Sequence, residues 1–285
     1  MTIKEALDQG TDRLSSGRIE NPVVNCELLL VAVLKCQRVD LYLNPAQSLT
    51  EKQMASYQEM LGERISGRPV QYIIHSASFF GLELYVDENV LIPRPETETL
   101  VEAVLERLSE SKFPVKIIDW GTGSGNIAIA LASHLQGEVF AIDISKGALG
   151  VALKNIASHG LESRIKLLRG DGFKAVPKDL KGKMDGVVSN PPYVRRDEED
   201  SLPREVRDFE PKEALFDKEQ GLYSTGRIIT EAKDFLKRGG LLALEIALGQ
   251  AENVTNLIQE TKSYKDTEIV PDLAGIQRVI LARRK

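Results

Sequence analysis

Two short stretches hold the residues whose types and spacing can do chemistry. The first is Asn190-Pro191-Pro192-Tyr193, directly after the strand-like run Gly186–Ser189. The side-chain carbonyl of Asn190 and the backbone carbonyl of Pro191 are two hydrogen-bond acceptors, set on a loop that proline stiffens by fixing its own φ and removing its N–H. Two convergent acceptors suit a planar NH2 group, and Tyr193 offers a flat face to a planar target. The second stretch is Asp119-Trp120-Gly121-Thr122-Gly123-Ser124-Gly125-Asn126, between the strand-like run Val115–Trp120 and the helical run Ile127–Leu135. Glycines here let the backbone turn sharply and a ligand come close to the main chain. A dinucleotide fingerprint needs glycine at the sixth position, which is Asn126 counting from Gly121, and the Walker lysine is missing too. Asp143 ends the next strand-like run, Val139–Asp143, where a carboxylate can accept two ribose hydroxyls or serve as an acid at a helix start. Asp171, Gly172 and Phe173 follow a third run, Ile165–Leu168, and in themselves read as a plain turn.

These groups need a scaffold that brings them together. From Glu96 onward strand-like runs alternate with helical ones: a helix over about Thr97–Ser109, the runs just named, then Lys146–Ser158, Gly226–Leu236 and Leu241–Ile246. That alternation predicts a parallel sheet covered on both faces. Thr267–Val270 and Arg278–Ala282 are too close for an intervening helix and predict an antiparallel hairpin at the sheet edge. Such sheets bind ligands beyond the carboxyl ends of their strands, near the point where strand order reverses, so the glycine loop and Asn190 should face one crevice.

The N-terminal part reads as helical. Thr2 with Glu5 and Thr50 with Gln53 fit capping boxes, Asn21-Pro22 reads as an N-cap followed by a first-turn proline, and Val23–Leu34 is apolar. Met54, Tyr57, Leu61 and Ile65 recur at helical spacing up to Gly67, a pattern that serves a core. Phe79, Phe80, Leu82, Leu84 and Val86, then the turn-like Asp87-Glu88-Asn89 and Val90–Ile92, suggest a small hairpin that Pro93 and Pro95 stiffen at its exit. The expected organisation is a helical domain over 1–75, a β-hairpin linker over 76–95, and an α/β domain over 96–285. Val194–Asp217 is long, charged and poorly patterned; placed after Asn-Pro-Pro-Tyr, it suggests either a substrate-side lid or a solvated face.

The net charge of −5 argues against a protein that holds duplex nucleic acid mainly through phosphates. Two cysteines, Cys26 and Cys36, are too few for a disulfide framework or a zinc site, so no metal is expected. Residues 1–10 lack an apolar core of signal-peptide length, and no stretch approaches the roughly 20 apolar residues of a membrane span. A soluble, cytoplasmic protein is expected.

Gly-x-Gly-x-Gly preceded by an acid resembles the first motif of the class I methyltransferases, and Asn-Pro-Pro-Tyr resembles that of enzymes methylating adenine N6, cytosine N4 or glutamine N5. The wider set resembles the HemK/PrmC family of release factor glutamine methyltransferases along nearly the whole chain. It comprises Arg68-Pro69-Val70-Gln71-Tyr72-Ile73, Phe79-Phe80-Gly81, Leu91-Ile92-Pro93-Arg94-Pro95-Glu96-Thr97-Glu98, Phe209-Glu210-Pro211, Glu245-Ile246, and Ala274-Gly275 near Arg278. The resemblance implies a Rossmann-like, mostly parallel seven-stranded sheet with an antiparallel edge hairpin and a small N-terminal helical domain. It implies S-adenosylmethionine held by Asp119, Gly121, Thr122, Gly123, Ser124, Gly125, Asp143, Asp171, Gly172, Phe173 and Asn190, with Asn190, Pro191, Pro192 and Tyr193 at the transfer centre. The implied partner is a class-1 release factor, gripped by the N-terminal domain and methylated on its Gly-Gly-Gln loop, with no membrane and no stable nucleic-acid partner. The alternatives are amino-methylation of nucleic acid or of a ribosomal-protein glutamine. The chain departs from the family pattern at Trp120, where a smaller apolar residue is usual, at Gly172, where a bulkier one often lines the adenine pocket, and at Ala247-Leu248.

Overall fold

The computed structural model describes residues 1–109 and 113–285, which divide into two compact units. The smaller unit is built on α1 (Ile3–Ser16), α2 (Pro22–Leu34), α3 (Arg38–Leu43), α4 (Glu51–Ile65) and α5 (Val70–Ile74). Reciprocal capping boxes start α1 at Thr2/Glu5 and α4 at Thr50/Gln53. Asn21 departs from its expected role. It is left-handed and its side chain makes no capping bond, so Pro22, with φ already set, begins α2. Leu14, Cys26, Leu29, Leu30, Tyr57 and Leu61 are fully buried and make the core of this unit.

The larger unit begins with a hairpin of β1 (Ala77–Phe79) and β2 (Leu82–Leu84). Its turn is Phe80-Gly81, both at positive φ (52° and 73°), which matches the twist of a two-residue hairpin. The sequence placed the turn at Asp87–Asn89 instead. There the Asp87 carboxylate accepts the Asn89 N–H at 3.0 Å in a local turn, and Val90–Ile92 form no strand. The hairpin is no free linker either, because Phe79 and Leu84 lie in one core with Leu100, Val104 and Ile117.

The elements that follow are α6 (Glu96–Leu108), β3 (Val115–Trp120), α7 (Asn126–His134), β4 (Gly137–Asp143), α8 (Lys146–Ser158), β5 (Ile165–Arg169) and β6 (Met184–Ser189). The segment after β6 is ordered as short helices, at 196–201, α9 (Arg204–Phe209) and α10 (Lys212–Leu215). Residues Pro203–Phe209 belong to the smaller unit. The buried Arg64 guanidinium holds them there, donating to Glu205 at 2.6 Å, Asn25 at 2.7 Å and the Arg68 carbonyl at 3.0 Å. The chain therefore leaves Asn-Pro-Pro-Tyr, is fastened once in the helical unit, and returns at Glu210. It is a strap rather than a free flap.

The remaining elements are α11 (Tyr223–Ala232), β7 (Leu236–Glu245), α12 (Ala251–Glu260), β8 (Tyr264–Pro271) and β9 (Gln277–Arg284). The sheet order is β5-β4-β3-β6-β7-β9-β8, with β9 antiparallel to β7 and to β8. Strand order reverses between β3 and β6. Ile117, Leu100, Ile129 and Val188 pack on one face; Ile118, Phe140, Ile228 and Leu242 pack on the other. The helix α12, absent from the sequence reading, buries Ala251, Val254 and Ile258 at helical spacing. No helix among the described residues is long and apolar enough to cross a membrane.

Candidate active site

The register of the two central strands sets the site. Asp119 on β3 pairs with Val188 on β6, so Gly121 and Asn190 leave the sheet side by side at its carboxyl edge. The Ser189 hydroxyl locks the two loops together by donating to the Trp120 carbonyl at 2.7 Å.

On the β3 side, Gly121 (φ 74°) and Gly123 (φ 53°) adopt left-handed conformations, and a Cβ on either would meet nothing within 4 Å. Their faces open to the space a ligand takes. Asp119 is fully buried: one oxygen accepts the Thr122 hydroxyl at 2.6 Å, and the other, Oδ1, has no hydrogen-bond partner among the described residues. Burial pushes its carboxyl up to about 7, against the Thr122 hydrogen bond and with help from the nearby Asp143 charge. Asp143 accepts the Gly123 N–H and the Ser145 N–H, each at 2.9 Å, and burial raises it as well. The Ser124 hydroxyl is buried with no hydrogen-bond partner among the described residues. Asn155, which the sequence reading missed, donates to the Ser124 and Tyr85 carbonyls at 2.9 Å each and so pins the loop to the segment after β2. An orphaned buried carboxylate oxygen, a free hydroxyl and an open glycine cradle fit a ligand that carries a cation and hydroxyls and needs no phosphate clamp.

Of the residues after β5, Asp171 remains at the surface of the site. Lys174 and Arg227, each at 2.7 Å, hold its carboxyl below the usual range. Phe173 is a correction. Its ring is buried and stacks on Phe235 at 5.1 Å between centroids, so it belongs to the core and not to a pocket wall. The 3-10 turn at 172–175 directs the side chain inward.

On the β6 side, the Asn190 amide nitrogen donates to the Thr97 hydroxyl oxygen at 3.0 Å. The Thr97 hydroxyl in turn donates to the carboxylate of Glu245, at the end of β7. With Thr97 donating to Glu245, its hydroxyl oxygen accepts from Asn190, which orients the amide with its carbonyl oxygen turned away as an acceptor. Burial pushes Glu245 up to about 7, and among the described residues its Oε2 has no hydrogen-bond partner. Burial likewise pushes the Tyr193 hydroxyl up to about 12. Below this point Val194 donates to Leu215 at 3.0 Å and accepts from Asp217 at 2.9 Å, tying down the exit of the loop. Two sequence motifs also meet: Arg94 pairs with the buried Glu210 at 2.5 Å. The roles of Thr97, Glu245 and Glu210 were not foreseen. The available signal for Thr97 was a polar residue at a core position of α6, in phase with Leu100, Val101 and Val104.

A sheet of this order, with a phosphate-free glycine loop after β3, an acid at the end of β4 and two acceptors after β6, defines a class I methyltransferase, the class whose methyl donor is S-adenosylmethionine. Among solved structures the fold is similar to a methyltransferase from Pyrococcus furiosus (TM-score 0.51, 17% identity, 82% of this chain and 98% of that one). It is also similar to the T. thermophilus 16S rRNA methyltransferase RsmC (TM-score 0.52, 19% identity, 74% and 50%). Residues 5–74 match the family described as PrmC N-terminal domain, and residues 112–277 match a methyltransferase domain. Curated relatives called release factor glutamine methyltransferase include those of Koribacter versatilis, 38% identical over 100% of this chain and 99% of its own, and Chlorobaculum tepidum, 40% identical over 92% and 90%. The chain belongs to the release factor glutamine methyltransferase family.

Proposed function

We propose that this chain transfers a methyl group from S-adenosylmethionine to the side-chain amide nitrogen (N5) of the glutamine in the Gly-Gly-Gln loop of a class-1 peptide chain release factor. The observation that carries the reading is the orientation of Asn190, fixed through Thr97 and Glu245 so that a carbonyl oxygen is presented next to the glycine loop. The full-length kinship with release factor glutamine methyltransferases supports the substrate.

An amide nitrogen is a poor nucleophile because its lone pair is delocalised. The Asn190 side-chain carbonyl and the Pro191 backbone carbonyl accept its two hydrogens, orient the nitrogen, and offset the positive charge that grows on it as the new bond forms. The bound donor supplies an electrophilic methyl on a sulfonium sulfur. The donor's sulfur would keep the electron pair of the C–S bond as the methyl moved to nitrogen, and the surplus amide proton would leave to solvent. Tyr193 packs the flat face of the amide. Asp119 takes the cationic end of the donor, Thr122, Ser124 and the glycines of 121–125 cradle it, and Asp143 takes the ribose hydroxyls. Asp171 takes the exocyclic amine of the base. The helical unit over Met1–Ser76, with the strap at Pro203–Phe209, grips the release factor.

The test is incubation of the chain with methyl-labelled S-adenosylmethionine and, in parallel, purified release factor, release factor with its Gly-Gly-Gln glutamine changed to alanine, and duplex DNA. Label is expected on the unmodified factor alone. Label on DNA alone, or equal label on the altered factor, overturns the assignment.

A further inference from the structure

Trp120 and Gly172, far apart in the chain, are one feature in three dimensions. A Cβ placed on Gly172 would lie 2.5 Å from Trp120 Nε1 and 3.2 Å from Cε2, so the indole edge occupies the volume that any side chain at position 172 would need. Gly172 is also left-handed, φ 59°, where a side chain is strained in any case. Trp120 is the last residue of β3, and Gly172 follows β5. Between those strands lies β4, which ends at Asp143. To reach Gly172 the indole must therefore cross the carboxyl end of β4, beside the acid assigned to the ribose. Its inner side rests on the core formed by Ile118, Phe140 and Ile142, and the ring remains partly exposed. Phe173 is stacked away on Phe235 and provides no wall here. Ile144, directly after Asp143, is a large apolar side chain 62% exposed.

We propose that the Trp120 indole forms the face on which the donor's adenine lies, replacing the wall that a side chain at position 172 would otherwise supply. A flat ring beside a ribose site suits a purine, since every base offers a π-face to an aromatic side chain. With tryptophan at position 120, the indole takes the space that a side chain at 172 would need. The two positions are a matched pair. The proposal rests on the reading that this pocket holds the donor's adenosine half.

Trp120 is the one tryptophan in the chain, so its emission reports on this ring alone. Titration with S-adenosylhomocysteine should quench or shift that emission, saturating at the concentration where calorimetry saturates. Adenosine alone should do the same, whereas S-ribosylhomocysteine, which lacks the base, should leave the emission unchanged. By calorimetry Trp120→Leu should weaken S-adenosylhomocysteine about ten-fold, the size expected for one base–aromatic stack, and Trp120→Phe by less. Saturable calorimetric binding with no emission change, or a Trp120→Leu dissociation constant equal to that of the unaltered chain, overturns the role of Trp120 while leaving the pocket intact. No calorimetric binding to the unaltered chain would instead overturn the pocket reading and this inference with it.

Discussion

The two sides of the active site are built in different ways. The β3 side gathers most of its polar groups from a short span, with Thr122 bonded to Asp119 and both Gly123 and Ser145 bonded to Asp143, and Asn155 adds one longer-range tie at Ser124. The β6 side places one loop, Asn190–Tyr193, in the hands of two distant segments. Thr97 comes from α6 and Glu245 from β7, while Arg94 and Glu210 join in a pair of their own. A binding side made of local backbone geometry tolerates change elsewhere in the chain. A catalytic side oriented through buried, long-range hydrogen bonds depends on how the whole sheet closes. Substitutions on the first should therefore act on affinity, and those on the second on turnover.

The sharpest test of that division is Asn190→Ala. It should lower kcat by roughly 100-fold to 1000-fold, the range seen when one preorganised charge-stabilising group is lost, and leave the S-adenosylhomocysteine dissociation constant within about two-fold. A mutant as active as the parent would remove Asn190 from the chemistry. Opposite in kind is Asp119→Asn, which should weaken S-adenosylhomocysteine by roughly 10-fold to 100-fold in calorimetry at pH 8, since an ionised carboxylate is worth more to the ligand's ammonium than an amide. The same substitution should raise the thermal midpoint of the ligand-free chain at pH 8 by a few degrees. The folded carboxyl sits near 7, above its ordinary value, so folding binds a proton and ligand-free stability declines as pH rises from about 4 towards 7. An unchanged or lower midpoint would mean that the burial of this charge carries no cost. Asp143→Ala should likewise weaken binding, and an unchanged dissociation constant would count against its ribose contact.

Thr97→Val removes the hydroxyl that orients Asn190 while keeping shape. Turnover should fall roughly 10-fold with binding constants unaltered, and Thr97→Ser should restore most of it. Equal kcat in the valine variant would show that Asn190 keeps its orientation without Thr97. The smallest expected effect is on pH. With Asp119 near 7, affinity for S-adenosylhomocysteine should rise several-fold between pH 6 and pH 8 in the parent and stay flat over that range in Asp119→Asn. A flat parent profile would place the ligand's cation elsewhere.

Much of this protein is written in its sequence because the relevant physics is local. Glycine spacing, the acid at the end of each strand, the capping boxes at Thr2 and Thr50, and the alternation of strand and helix are all decided within about ten residues. They sufficed for the sheet, the glycine loop after β3 and the position of Asn190 at the end of β6. Even the strain-dependent turn at Phe80-Gly81 leaves a trace, but the sequence also offered Asp87–Asn89, and only the packing of Phe79 and Leu84 against Leu100 selected between them. What the tertiary structure alone decided are relations between residues far apart in the chain. The Glu245–Thr97–Asn190 relay, the Arg94–Glu210 pair and the fastening of Pro203–Phe209 by Arg64 each join positions tens of residues or more apart. The direction of Phe173 into the core and of Trp120 across to Gly172 belongs with them. A threonine on a helix or a glycine in a turn carries no mark of its partner. Which buried polar group meets which is settled when the layers close and each must find a hydrogen bond or remain costly without one.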